Sequence, residues 1–423
     1  MKKKIPVEEL KVGMYVSELD RPHLAPVEFR GFRVRSRNQI DKLKRYCRNV
    51  YIEILSDSSL PSSQHPATGK WPPSKAFSTE QQRRLEFEML KLGATPGEML
   101  QKYQDRTTID QEINTVRPSY EATRALIGKA TPEIRQGADI DMAAVKKTVI
   151  PLVASAVRNA DALACFAQLR RRFDYTSLHS VRVCLLALAF GRHLGLAVAD
   201  LITLGMGALL HDIGKTKVPE EILNKPTSLT EQEFEIARKH VQAGVQLLRR
   251  SNGIPAVALD VARYHHERYD GSGYPHGLHK TQIPLLGQIG AIVDCYDALT
   301  SDRAYASAIS GHAALQKIYE WRDRLFDKQL VEQFIQCMGI YPIGSVVELR
   351  SGDVGVVVSV NRVRRLKPRV RLVLRPDRTP HLPTKTINLL QAEESQSYEI
   401  ERVAEPGAYN IRPSEYLRVV THH

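Results

Sequence analysis

The chain has 423 residues, 43% hydrophobic and 25% charged, and a net charge of +13. That length and balance fit two or three globular domains with a substantial core, and they exclude a disordered or collagen-like chain. The five cysteines, Cys47, Cys165, Cys184, Cys295 and Cys337, are scattered and lack CxxC spacing. This argues against a thiolate zinc site or a disulfide framework and fits a reducing compartment.

The opening Met1-Lys-Lys-Lys-Ile-Pro6 has no apolar run behind its charges, so no signal peptide is expected. The most apolar windows, 183–190 and 201–210, are too short for a membrane span. A cytoplasmic location is expected. Positive charge gathers in Lys2–Lys4, from Arg30 to Arg48 and from Arg362 to Arg378. Solvated surface accounts for it, and a basic field also attracts a small anionic ligand. No helix-turn-helix, zinc finger or aromatic stacking motif accompanies these charges, so no nucleic acid polymer is expected as a partner.

In chain order, residues 1–55 alternate short apolar runs with turns: Lys11-Val-Gly-Met-Tyr-Val16, Gly31-Phe-Arg-Val34 and Val50-Tyr-Ile-Glu-Ile-Leu55. The pattern predicts a small β-rich module with a short helix near 38–48. Residues 56–76, rich in Ser and Pro and including Trp71-Pro-Pro-Ser74, form a linker. A helical connecting region is expected over 77–150, and one or two helices over 140–170 lead into a helical bundle. That domain is placed at 151–341. After Pro342 the alternation of Gly344 to Val360 and of Pro368 to Leu374 predicts a β-rich extension over 342–423, with His422-His423 as a tail. The chain is thus mainly α, a bundle between two β-rich pieces.

The bundle carries polar residues where apolar ones belong. Leu201 to Leu210 is apolar on nearly every face, yet it runs into His211-Asp212. Such a pair is costly to bury without a partner or a cation. Gly214 is expected to stop that helix, with Lys215 just beyond. His179, in a helix starting near Thr176, shares a face with Val183, Leu186 and Phe190. His240 is placed in a helix opened by the capping box Thr230-Glu-Gln-Glu233, with Gly244 leaving room beside its ring. His265-His266-Glu267 ends a helix that Pro255 can start. Asp294 follows Gly287, Gly290 and Ala291, whose small side chains clear its face.

Each of these alone reads as a satisfied core residue or a cap. Five imidazoles and two carboxylates on inward faces of successive helices read better as metal ligands. Nitrogen with carboxylate oxygen and no thiolate suits iron, manganese, zinc or nickel over calcium or magnesium. Seven ligands exceed one tetrahedral ion, so two ions bridged by one carboxylate is the economical arrangement. Two such ions and two aspartates leave positive charge for a bridging hydroxide and an anionic substrate, which suits in-line hydrolysis at phosphorus.

His179, His211-Asp212 and Asp294 resemble the H…HD…D pattern of the HD metal-dependent phosphohydrolases. The stretch His265-His-Glu-Arg-Tyr-Asp-Gly-Ser-Gly-Tyr-Pro275 resembles the HHE and GYP motifs of the HD-GYP subfamily, whose members hydrolyse cyclic di-GMP. His211-Asp-Ile-Gly-Lys215, Pro219, Ile222-Leu223, Lys225 and Asp294 to Tyr305 follow the same pattern, and the resemblance spans roughly 170–345. The N-terminal stretch is similar to an uncharacterised domain often found ahead of such domains.

The resemblance implies an HD-type bundle holding two divalent ions, iron with manganese as the alternative. His179, His211, Asp212 and Asp294 would take one ion. Asp212 would bridge to a second held by His240, His265 and His266. Lys215 would touch the scissile phosphate and Arg303 the other phosphate, with a local salt bridge to Asp302 as the plain alternative for Arg303. Gly273, Tyr274 and Pro275 would border the substrate or dock a diguanylate cyclase (GGDEF) partner; a tight turn explains them equally. Some relatives hold a third metal through a glutamate one turn before the first histidine. Here Tyr175 stands at that position, beside Asp174, so two metals are expected. Asp297 fits either a place behind a ligand or a surface or capping role. The expected product is pGpG, with GMP if hydrolysis continues. The alternatives are a hydrolase of another cyclic dinucleotide, and a regulatory protein that binds the messenger or a cyclase without turnover. The N-terminal module is a candidate for regulation or dimerisation.

Overall fold

A computed structural model describes residues 103–168, 175–302, 307–361, 364–391 and 398–417. It also describes 2–10, 15–19, 32–33 and 49–53, with Ile40, Asp41, Lys44 and Cys47 between them. The expected linker 56–76, the start of the connecting helix, the tail, Asp174 and Arg303 lie outside the described residues, as does the side chain of Tyr175. The chain divides into two compact units, Met1–Gln64 and His65–His423.

The first unit holds a four-stranded antiparallel sheet in the order β1-β4-β2-β3, from β1 (Lys2–Pro6), β2 (Tyr15–Leu19), β3 (Phe32–Arg33) and β4 (Asn49–Glu53). The β-rich expectation holds here, but β1 falls on the lysine run that the sequence presents as charge. Its partner supplies the reason: Lys3 pairs with Ile52 and Ile5 with Val50, so strand state comes from distant pairing.

In the second unit, α1 (Ile109–Arg135) and α2 (Met142–Arg158) precede α3 (Ala160–Ala167), α4 (Tyr175–His193) and α5 (Val198–Leu210). Then come α6 (Glu220–Leu223), α7 (Glu231–Arg238), α8 (His240–Arg250), α9 (Leu259–Tyr264), α10 (Leu285–Thr300), α11 (Gly311–Glu320) and α12 (Lys328–Met338). Side chains start several of them. Thr108 caps α1 in a reciprocal box with Gln111, Asp141 caps α2, and Thr230 with Glu233 caps α7. The core joins Ile113, Val116 and Tyr120 of α1 and Val145 and Val149 of α2 to Leu185 of α4 and Leu204 of α5. The helices before residue 151 are therefore part of the bundle's core, and a boundary at 151 falls inside α2.

The chain ends in a five-stranded antiparallel sheet ordered β8-β7-β6-β5-β9, followed by the short α13 (Pro413–Tyr416). Its strands are β5 (Val346–Leu349), β6 (Val354–Ser359), β7 (Arg369–Leu374), β8 (Pro380–Asn388) and β9 (Ile400–Val403). Val346, Val347, Val354, Val356 and Val370 bury into the same apolar core as the helices. All five cysteines are buried, and among the described residues none forms a disulfide. Among the described residues no single helix is long and apolar enough to cross a membrane.

Candidate metal centre

Three short-range choices of the backbone aim three histidines at one point. Helices end with unpaired carbonyls. At the end of α5, His211 donates from Nδ1 to the Ala208 carbonyl at 2.8 Å. After α7, His240 donates likewise to Ala237 at 2.8 Å. After α9, His265 Nδ1 lies 3.0 Å from the Ala262 carbonyl and 3.1 Å from Val261. Each bond commits the proton to Nδ1 and leaves the Nε2 lone pair free. The helix ends themselves, carrying partial negative charge, favour a cation beside them.

The seven predicted ligands converge. His179, His211 and Asp294 form one group, and Asp212, His240, His265 and His266 another, the ligand atoms of each lying within 4.8 Å of one another. Asp212 faces both groups. Its Oδ2 is 3.3 Å from His211 Nε2 and 3.4 Å from His179 Nε2; its Oδ1 is 3.4 Å from His240 Nε2 and 3.6 Å from His265 Nε2. His179 Nε2 is also 3.1 Å from Asp294 Oδ1.

The two carboxylates and three of the imidazoles are in the protonation states that ligation needs. Burial pushes Asp212 upward, but the Lys215 ammonium and the surrounding imidazoles outweigh it and hold the carboxyl well below the usual range. Asp294 is held down against burial by His179 and its neighbours. Burial lowers His265 and His266 and takes His240 to about 3, so these rings are neutral at physiological pH. His179 runs the other way: burial opposes its charge, but Asp212, Asp294 and Asp297 hold its pKa well above the ordinary histidine value.

A divalent-ion fit is testable on the atoms themselves. His211 Nε2, Asp212 Oδ1 and His266 Nδ1 are buried without a hydrogen-bond partner. Buried polar atoms are almost always satisfied, and three orphans in one cluster of lone pairs and carboxylates call for cations. The donor set of nitrogen and carboxylate oxygen fits transition-metal ions.

Supporting residues surround the ligands. Lys215 Nζ reaches Asp212 Oδ2 at 2.5 Å and stays partly exposed. Asp297 is buried and accepts from His179 Nδ1 at 2.7 Å and from the Arg182 guanidinium, so it stands behind His179 and not at the surface. Glu267 accepts from the backbone N–H of His276 at 2.7 Å and Leu278 at 3.0 Å, pinning the loop that holds residues 273–275. Gly273 is required there, because a Cβ would lie 2.3 Å from the Arg268 nitrogen and 2.4 Å from the Glu267 Cα. The Tyr274 ring stacks on His266 at 4.6 Å between centroids and meets Phe234 edge-on, leaving it 7% exposed. Pro275 is half-buried. Asp302, expected as a salt-bridge partner for Arg303, accepts from the Ala308 backbone N–H at 2.9 Å.

Four local expectations need correction. Gly214 does not stop a helix: α5 ends at Leu210, and Gly214 lies in a 3₁₀ turn, Ile213–Lys217. A side chain there would put Cβ 1.9 Å from the His240 carbonyl and 2.4 Å from the Gly244 nitrogen, so Gly214 is small because the turn packs directly on α8. Gly244 accordingly makes room for Gly214, not for an imidazole. His240 opens a helix of its own, since α7 ends at Arg238 and Lys239 separates the two. Pro255 caps a 3₁₀ turn, Ala256–Ala258, ahead of α9. The contributions missed in the sequence are those of Arg182, whose signal was an arginine set between valines in a mostly apolar helix, and of the Glu267 carboxylate.

A helical bundle that gathers histidines from four helices around a His-Asp pair defines an HD domain. A family model described as HD domain matches residues 151–330, and one described as a domain of unknown function (DUF3391) matches residues 2–145. The chain is 32% identical over 415 residues to a protein named cyclic di-GMP phosphodiesterase PA4108 from Pseudomonas aeruginosa, covering 97% of this chain and 94% of that one. A cyclic di-GMP phosphodiesterase from Thermotoga maritima is 38% identical over 162 residues, 38% of this chain and 44% of its own. A 3'3'-cGAMP-specific phosphodiesterase 2 from Vibrio cholerae is 37% identical over 162 residues, 38% of this chain and 31% of its own. The chain belongs to the HD-GYP family of cyclic di-GMP phosphodiesterases, with the DUF3391 domain ahead of its HD domain.

Proposed function

We propose that this protein is a two-metal phosphodiesterase that opens cyclic di-GMP to linear pGpG, with GMP as the product if hydrolysis continues. The observation that carries this reading is the placement of Asp212, with one carboxylate oxygen toward each group of histidines. His179, His211, Asp212 and Asp294 would hold one ion, and Asp212, His240, His265 and His266 the other. When bound, two divalent ions, iron or manganese, supply an activated water and polarise the phosphoryl oxygens.

The chain's own residues do the rest. His211, His240 and His265 keep Nε2 directed inward because Nδ1 is committed to a backbone carbonyl, and His179 does so because its Nδ1 is held by Asp297. Lys215, partly exposed at the edge of the centre, places a cation where negative charge develops on the phosphate. Arg303 would hold the second phosphate. The 273–275 loop would border the substrate chiefly through its backbone, since the Tyr274 ring is packed inward. A GGDEF partner docking there would meet exposed neighbours such as His276. A cytoplasmic location, homodimerisation and regulation by the N-terminal module complete the reading.

The experiment is anaerobic purification of wild type and Asp212→Ala, with metal content and cyclic di-GMP turnover measured on the same samples. About two ions per chain, with turnover lost along with the Asp212 carboxylate, is the expected result. Metal with messenger binding but no turnover would favour a regulatory role. Likeness to a cGAMP-specific relative makes 3'3'-cGAMP the competing substrate, and faster turnover of it would reassign the specificity.

A further inference from the structure

His179 is gripped on both ring nitrogens by two aspartates one helical turn apart on α10. Its Nε2 faces Asp294 Oδ1 at 3.1 Å, while its Nδ1 donates to Asp297 Oδ2 at 2.7 Å. The direction of Nε2 is therefore only as fixed as the Asp297 carboxylate. Arg182 fixes that carboxylate. It lies one turn along α4 from His179, is 5% exposed, and donates from Nε to Asp297 Oδ1 at 2.7 Å and from Nη2 to Oδ2 at 3.0 Å. Nη2 also donates to Ser301 Oγ at 2.9 Å, so the guanidinium is itself anchored at the end of α10.

We propose that Arg182 is a positioning residue for the His179 metal group, acting through Asp297. A guanidinium grips both oxygens of a carboxylate in one plane, whereas an ammonium offers a point charge about which the carboxylate can turn. The chain has placed a buried arginine where a plain charge partner would also have neutralised Asp297. What the fork adds is orientation, and the orientation is passed to the imidazole. Partners behind a metal-bound histidine typically change metal affinity by about 10- to 100-fold when lost. In the second group His240 and His265 are fixed by backbone carbonyls instead, and among the described residues neither ring has a guanidinium-held carboxylate behind it. Arg182 thus acts on one ion and not on the other. This inference rests on the two-metal reading above.

The test is titration of metal-free full-length protein with Mn²⁺ alone, followed calorimetrically, with thermal melts of the metal-free samples. Wild type is expected to show two binding events. Arg182→Lys, which keeps the charge and loses the fork, should weaken one event about 10- to 100-fold and leave the other within about twofold. The weakened event should be the one that His211→Ala abolishes. Where Arg182→Lys does not fold, the isosteric Asp297→Asn should give the same selective loss. Unchanged affinities with a lowered melting temperature would make Arg182 a mere clamp between α4 and α10 and overturn the inference, as would equal weakening of both events. A wild type that binds no Mn²⁺ would overturn the two-metal reading itself.

Discussion

A histidine can serve a metal only if one nitrogen is free and correctly aimed, and three histidines of this candidate centre meet that condition locally. His211, His240 and His265 use Nδ1 to satisfy carbonyls at helix ends, so the bond that stops each helix also sets its tautomer. Lys215 has a different task. Its ammonium pairs with Asp212 but remains partly exposed, which leaves it able to meet an incoming phosphate. Lys215→Ala is expected to lower kcat for cyclic di-GMP by about 10²- to 10³-fold, the typical loss for one donor at a developing oxyanion. Metal content should stay at the wild-type level. A parallel fall in bound metal would instead make Lys215 a support for Asp212.

Elements meet closely where the sequence has glycine, and their contacts were less legible than the ligands. The seven polar residues stood out because they interrupt or end the helical patterns of the bundle, a signal that single-chain periodicity contains. The ends of α5 and α7 did not, because they are set by the packing of the Gly214 turn on α8, which joins residues about 30 apart. Gly214→Ala tests that packing. Its methyl would press on backbone atoms of His240 and Gly244, which cannot rotate away. A loss of roughly 3 kcal/mol or more is expected in chemical denaturation, together with weakened metal binding at the His240 group. The C-terminal sheet carries its own electrostatic device. Glu348 on β5 accepts from Arg378, Arg402 and Tyr409, each at 2.7 Å. Burial pushes its carboxyl up, but these bonds outweigh it and take the pKa down to about 2 from an ordinary 4.5. The folded state therefore binds that proton less readily than the unfolded chain, so the stabilisation is complete above pH 4.5 and is lost as pH falls toward 2. Glu348→Gln should lower the melting temperature by roughly 2 °C at pH 7, with the gap to wild type closing across that acid window.

At the scale of the whole chain, the bundle, its leading helices and the C-terminal sheet share one core in the His65–His423 unit. Sequence patterns separate them because composition changes at 150 and at 342, but burial does not follow those changes. Ile113, Val116, Tyr120, Ile127, Ile134, Met142, Val145 and Val149 all lie before residue 151 and are all buried in that core. Side chains of this kind contribute about 1.5–3 kcal/mol each when fully buried, against a net stability of about 5–15 kcal/mol for a typical domain. Removing eight of them, along with the valines of β5 and β6, strips more than the remainder can bear. A fragment of residues 151–341 is accordingly expected to be insoluble or molten, with strong dye binding and weak near-ultraviolet dichroism. A fragment of residues 103–417 should retain a cooperative melt. A cooperative transition in the short fragment, close to that of the longer one, would show that the HD bundle folds alone and that its flanking helices and sheet are accessories.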